Sequence, residues 1–175
     1  PLCLVGSEMC IRDRSNKIIY KGPSLIDGKP IVVIAIVQSR NTKTGNMVQT
    51  YILNDNGKSP LENNKTGLDY SICGNCVHRG NATTDPNRKT AEKRTCYVNL
   101  GQGVLITWKN YQLGKYETAA GHAAIAELGR GRMVRIGTYG DGAAVPSYIW
   151  DSLLSEADGH TAYTHQTDVP GVHAD

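Results

Sequence analysis

The stretch 133–165, MVRIGTYGDGAAVPSYIWDSLLSEADGHTAYTH, decides the predicted fold. Met133 to Thr138 is typical of a short buried strand, and Val145 to Leu154 has apolar positions at helical spacing. Thr161 to His165 predicts a second strand, after a turn at Asp158-Gly159. A strand, a helix and a strand in this order form the βαβ unit of a parallel sheet, so the stretch predicts an α/β fold.

The chain upstream of this unit predicts an antiparallel meander. Lys17 to Tyr20, Ile31 to Val37 and Val48 to Leu53 have the composition of strands. An Asp27-Gly28 turn separates the first two, and Asn41 to Gly45 is the predicted loop before the third. The fold therefore begins as α+β.

Between the meander and the βαβ unit, helical spacing predicts helices over Gly103 to Leu113 and Thr118 to Leu128. The parallel strands are few, and such strands must be covered on both faces. We therefore expect an incomplete parallel sheet, TIM-like or a partial barrel, in one domain over residues 15–175. We also expect the natural domain to continue beyond Asp175.

The first fourteen residues have a different interpretation. Val5 to Asp13 resembles a translated transposon-end sequencing adapter, so residues 1–14 are taken as an assembly artefact. The alternative is a genuine N-terminal segment with no special role. On the first interpretation, Cys3 and Cys10 do not belong to the protein's chemistry.

Three other cysteines, Cys73, Cys76 and Cys96, lie in a polar segment with no clear periodicity, from Asn54 to Arg94 and just beyond. A Cys-x-x-Cys pair brings two sulfurs within reach of one metal ion, and metal ligation can hold a segment that lacks its own core. We expect a metal site of zinc or an iron-sulfur cluster, with His78 as a candidate fourth ligand. A site without metal and a disulfide framework remain alternatives.

Polar residues follow both strands of the βαβ unit, where parallel-sheet proteins bind ligands. Thr138, Tyr139 and Gly140 are candidate cofactor-binding residues, and Asp141 and His165 are candidate catalytic residues. Asp141 is also placed to cap the following helix. A histidine side chain can exchange a proton or bind a metal under physiological conditions, which makes His165 a candidate, although a lone histidine is commonly a hydrogen-bonded surface residue.

Composition limits the partners. The chain has 175 residues, a net charge of +3 and no apolar run long enough for a bilayer. A local excess of cations in the cysteine segment could contact a nucleic-acid backbone, or could simply solvate the loop. Those cations are Arg79, Arg88, Lys89, Lys93 and Arg94. Closely spaced thiols without an export signal suggest a reducing cytosol.

Several motifs follow one another along the chain: ICGNCVHR at 72–79, CYVNLGQ at 96–102, VRIGTYGD at 134–141, Trp150, and YTHQ at 163–166. Their order resembles a family encoded by bacteriophages, and is distantly similar to the phage "gene product 88" family, so the expected cytosol is that of a host bacterial cell. The resemblance covers roughly residues 17 to 170. It implies a provenance and an architecture, and no reaction.

Three cysteines that lead into β/α units also resemble the radical S-adenosylmethionine enzymes, which hold a four-iron four-sulfur cluster by three thiolates. The sequence departs from the usual tight cysteine spacing of that family, because nineteen residues separate Cys76 from Cys96. Zinc tolerates such a gap. The second hypothesis is therefore a non-enzymatic, zinc-stabilised protein that binds nucleic acid or another partner.

Overall fold

The computed structural model describes residues 15–37 and 45–166, and over this range it contains six strands and five α-helices. The strands are β1 (Lys17–Pro23), β2 (Pro30–Ile36), β3 (Val48–Asn54), β4 (Glu117–Thr118), β5 (Met133–Tyr139) and β6 (Gly159–Thr161). The helices are α1 (Pro60–Thr66), α2 (Tyr70–Cys73), α3 (Gly103–Gln112), α4 (His122–Gly129) and α5 (Ser147–Leu154). Single 3-10 turns lie at Val77–Arg79 and Gly142–Ala144.

The predicted meander is confirmed. β2 pairs antiparallel with β1 on one side and with β3 on the other. The side chains from Ile31 to Ala35 are completely buried, so this apolar run forms the centre of the core. The turn before it is set by Asp27, whose Oδ1 accepts a hydrogen bond of 3.0 Å from Lys29 N.

The βαβ unit is also confirmed, but it extends the meander and does not start a barrel. β5 pairs parallel with β3 and with β6, which gives one mixed sheet in the order β4-β1-β2-β3-β5-β6. The sheet is open, so the expected TIM-like or partial barrel is wrong for the described strands. The physical reason is that β3 of the meander pairs with one edge of β5, so β5 needs no further parallel strand on that side.

Several element boundaries differ from those predicted, most of all the end of the last strand and the start of α4. The last strand ends at Thr161 and does not reach His165, because Thr164 and His165 bond to Asp141 instead of to a neighbouring strand. Helix α4 begins at His122, because Thr118 pairs with Ile18 of β1 in β4.

The cysteine segment, whose sequence has no clear periodicity, contains two short helices and is held by its own hydrogen bonds. Ser59 caps α1 by accepting from Glu62 N, and α2 buries Ile72 in the core. Asn64 is buried, with its amide donating to Asp69 Oδ2 at 2.8 Å and accepting from Ala91 N at 3.0 Å. Hydrogen bonds of polar side chains therefore hold the segment, a role that we expect of a metal from the sequence alone.

Some sequence interpretations fall outside this description. The described residues do not include the expected artefact at 1–14, most of the predicted loop at 41–45, or residues 167–175. Within the described part of the chain, no helix is both long enough and apolar enough to span a bilayer.

Candidate functional site

A cavity of about 610 Å³ lies between the cysteine segment and the ends of β5 and β6. Every residue that the sequence indicated for chemistry lines it. These residues are Cys73, Cys76, His78, Cys96, Thr138, Tyr139, Gly140, Asp141 and His165. The fold thus brings the two predicted groups, the cysteines and the strand-end residues, to one pocket.

The backbone explains how Cys96 returns to the other two cysteines across nineteen residues. Cys76 N donates to Cys73 O at 3.2 Å, which forms a tight turn between the first two. His78 O then accepts bonds from Thr95 N and Cys96 N at 3.2 and 3.1 Å. The intervening loop is closed by the antiparallel bridge between Asn81 and Glu92, so the wide spacing does not separate the thiols.

All three cysteines are free thiols. Burial raises the pKa of Cys73 well above its ordinary value, and Asp69 adds to this effect while Arg79 opposes it. Within residues 15–37 and 45–166, no three histidine, cysteine, aspartate or glutamate side chains are arranged as a metal-binding group. The donor types suit a thiophilic metal, but binding one would require the thiols to lose protons and the side chains to draw together.

Two imidazoles meet at the mouth of the pocket. The rings of His78 and His165 have centroids 5.5 Å apart and lie edge to face at 70°. Nδ1 of His78 is 2.9 Å from Thr95 Oγ1, and both imidazoles belong to exposed residues. Either ring is therefore accessible as a ligand or as a proton donor and acceptor.

Asp141 is only 6 % exposed, and its carboxylate is fully engaged. Oδ1 accepts from Ala143 N at 3.0 Å, which caps the 3-10 turn. Oδ2 accepts from Thr164 Oγ1 at 3.0 Å and from His165 N at 2.9 Å. This geometry supports the capping interpretation and makes Asp141 a positioning residue for His165. Its catalytic role stays a prediction.

Gln166 is a residue of the site that the sequence interpretation missed. It is 1 % exposed, Nε2 donates to Cys73 O at 2.8 Å, and Oε1 accepts from Asn75 N at 3.1 Å. Gly74, with φ +51°, gives Gln166 its space, since a Cβ there would collide with Oε1. The only signal in the sequence was the position of Gln166 beside His165.

Two of the five cations that could contact nucleic acid, Arg79 and Arg94, make several hydrogen bonds within the segment itself. Arg79 donates to Asp69 Oδ1 from Nε at 3.0 Å and from Nη2 at 2.6 Å, and also to the carbonyls of Gly67 and Gly74 at 2.9 Å each. Arg94 donates to Cys96 O at 3.0 Å and to Val98 O at 2.7 Å. These bonds favour a structural role for both guanidinium groups.

The outer wall of the pocket contains Arg135, Tyr97 and Tyr163. Nη2 of Arg135 donates to Tyr97 Oη at 2.8 Å, and each tyrosine is 77 % exposed. Deeper in the wall, the hydroxyls of Thr138 and Tyr139 are buried without a hydrogen-bond partner among the described residues. Burial raises the pKa of Tyr139 well above its ordinary value, so this hydroxyl keeps its proton.

Comparisons with protein-family models, with curated proteins and with solved structures found no match. Three sulfur donors and two imidazoles, which are ligand types that thiophilic metals prefer, line one partly apolar cavity.

Proposed function

We propose that the protein binds one thiophilic metal centre, zinc or an iron-sulfur cluster, through Cys73, Cys76 and Cys96, and that a substrate binds in the adjoining pocket. The observation that supports this proposal is that three cysteines from two distant parts of the segment line the same pocket as His165. A reducing host cytosol belongs to the same proposal, because free thiols persist under reducing conditions. A bacteriophage origin also belongs to it, and its support is the resemblance in the order of motifs.

Each residue has a distinct role in this proposal. The thiolates hold the metal. His78 or His165, which line the same pocket, would provide a further ligand or move a proton. Asp141 fixes the backbone of His165, and Gln166 fixes the turn between Cys73 and Cys76. The bound group would supply Lewis acidity if it is zinc, or electron transfer if it is an iron-sulfur cluster.

The iron-sulfur form of the proposal corresponds to an enzyme like those of the radical S-adenosylmethionine family. It is supported by the open pocket beside the thiols, where a small substrate has room. The non-enzymatic alternative, a zinc-stabilised binder of nucleic acid, is less well supported, because Arg79 and Arg94 donate their hydrogen bonds within the protein.

The test is to purify the full chain anaerobically and measure its visible absorption, zinc, iron and sulfide. A brown protein with iron and sulfide supports the cluster, and a colourless protein with about one zinc supports the zinc site. Cys73→Ser, Cys76→Ser and Cys96→Ser should each reduce metal content, whereas Cys10→Ser, a matched control in residues 1–14, should not. Folded protein that takes up neither metal would overturn the proposal.

A further inference from the structure

We propose that the pocket beside the cysteines binds a small molecule that combines an oxyanion, either a carboxylate or a phosphate monoester, with a planar ring. Arg135 would bind the oxyanion, and Tyr97 and Tyr163 would pack against the ring. The inference deepens the proposed function by naming the ligand class, and it rests on that function only for the idea that a small molecule occupies this pocket.

The charge distribution of the pocket supports an anionic ligand. Arg135 lines the cavity, and no carboxylate of the described residues lies within ion-pair distance of it. The carboxylate that does line the cavity, Asp141, already accepts three hydrogen bonds. A guanidinium group presents planar, paired N–H donors that match a carboxylate or a phosphate.

The guanidinium group is also held in place. Its Nη2 donates to Tyr97 Oη at 2.8 Å, and its carbon lies 6.0 Å from the centroid of the same ring. Arg135 lies on β5, an interior strand of the sheet, where it pairs with Gln49 of β3 and Thr161 of β6. A guanidinium group that is already held by a hydrogen bond loses less side-chain freedom when it binds an anion, which favours affinity.

The neighbouring side chains suit the rest of the ligand. Tyr97 and Tyr163 expose most of their rings at the pocket, and aromatic side chains pack well against planar groups.

The experiment measures binding of simple probes to the full chain by calorimetry, with and without metal. Benzoate and phenyl phosphate combine a ring with an oxyanion, and benzamide is the neutral match of benzoate. We expect the better of the two anionic probes to bind in the millimolar range or tighter, and at least about tenfold more tightly than benzamide, since hydrogen bonds to charged groups are worth about this factor or more. Whichever of benzoate and phenyl phosphate binds more tightly shows whether the pocket prefers a carboxylate or a phosphate monoester.

Substitutions of the pocket residues test which side chains bind the probes. Arg135→Met should weaken the anionic probes about tenfold or more, and Arg135→Lys, which keeps the charge, should weaken them less. Tyr163→Ala should weaken ring-bearing probes while leaving acetate and inorganic phosphate unchanged. Arg88→Met and Tyr148→Ala are matched controls outside the pocket, and both should bind like the wild type.

Equal affinity for benzoate and benzamide, an unchanged Arg135→Met variant, or no binding at millimolar probe would each overturn the inference. If Arg135→Met does not fold, Arg135→Lys and the benzamide comparison decide. The metal content of the same samples separates the two proposals. Metal without probe binding refutes the ligand class alone, and probe binding by a chain that takes up no metal refutes the metal centre alone.

Discussion

Replacing Arg79 with methionine is expected to destabilise the protein strongly, because it would leave Asp69 buried without its cation. The side chain of Asp69 is 3 % exposed and that of Arg79 is 17 % exposed. The change removes two hydrogen bonds to Asp69 Oδ1 and one each to the carbonyls of Gly67 and Gly74. Breaking one partner of a buried ion pair costs about 3 to 5 kcal/mol.

The matched control is Arg88→Met in the same segment. Arg88 is exposed, and its Nη2 makes one long hydrogen bond of 3.4 Å to Ala91 O. Its loss should change the free energy of unfolding by about 0.5 kcal/mol or less. Arg79→Lys should lie between the two, since it keeps the charge but cannot donate to all three acceptors at once.

The assay is urea or thermal unfolding of the wild type and the three variants. A loss of 3 to 5 kcal/mol corresponds to a fall in melting temperature of about 6 to 20 °C for a chain of this size. The same samples test the nucleic-acid alternative, in which Arg79→Met and Arg88→Met would weaken salt-sensitive binding alike. Arg79→Met as stable as Arg88→Met would refute the structural role that we assign to Arg79.

Three further predictions concern the interior of the site. Gln166→Ala should destabilise the protein by about 2 to 4 kcal/mol in chemical unfolding, because Cys73 O and Asn75 N lose their partners; no change would show that Gln166 does not hold the turn. Tyr139→Phe should leave stability unchanged or raise it by about 1 to 2 kcal/mol, because its buried hydroxyl has no partner within residues 15–37 and 45–166; a large loss would show that this hydroxyl makes a hydrogen bond. In metal-free protein, the raised pKa of Cys73 contributes stability that is present below the ordinary thiol pKa of 9.0 and is lost as the pH rises above it. Unfolding free energy should therefore fall by up to about 1.4 kcal/mol per pH unit there, and the slope should be smaller in Cys73→Ala; equal slopes would contradict the assignment.

Much of the fold follows from local patterns in the sequence. The apolar run from Ile31 to Ala35 predicts a central strand, and the structure buries it completely. The alternation of strand, helix and strand after Met133 predicts the parallel pairing of β5 with β6. The pairing of β5 with β3 was not predictable in this way, because it joins parts of the chain about 85 residues apart through contacts that no local pattern encodes.

The site was predictable in its residue types and not in its bonding. Cysteine and histidine side chains indicated chemistry from their types alone, and the fold brings them to one pocket. Which polar groups support them depends on tertiary contacts. Gln166 and Arg79 look like surface residues in the sequence, but both are partly or fully enclosed and bond to the backbone around Gly74.

The central claim is that Cys73, Cys76 and Cys96 together hold one metal centre, and X-ray absorption at the metal edge tests it most directly. For zinc, we predict about three sulfur neighbours at about 2.3 Å and one nitrogen or oxygen neighbour at about 2.0 to 2.1 Å. For an iron-sulfur cluster, we predict a shell of sulfur neighbours around iron, and we predict that the iron content falls in Cys73→Ser, Cys76→Ser and Cys96→Ser but not in Cys10→Ser. A first shell of nitrogen and oxygen alone, for either metal, would contradict the account.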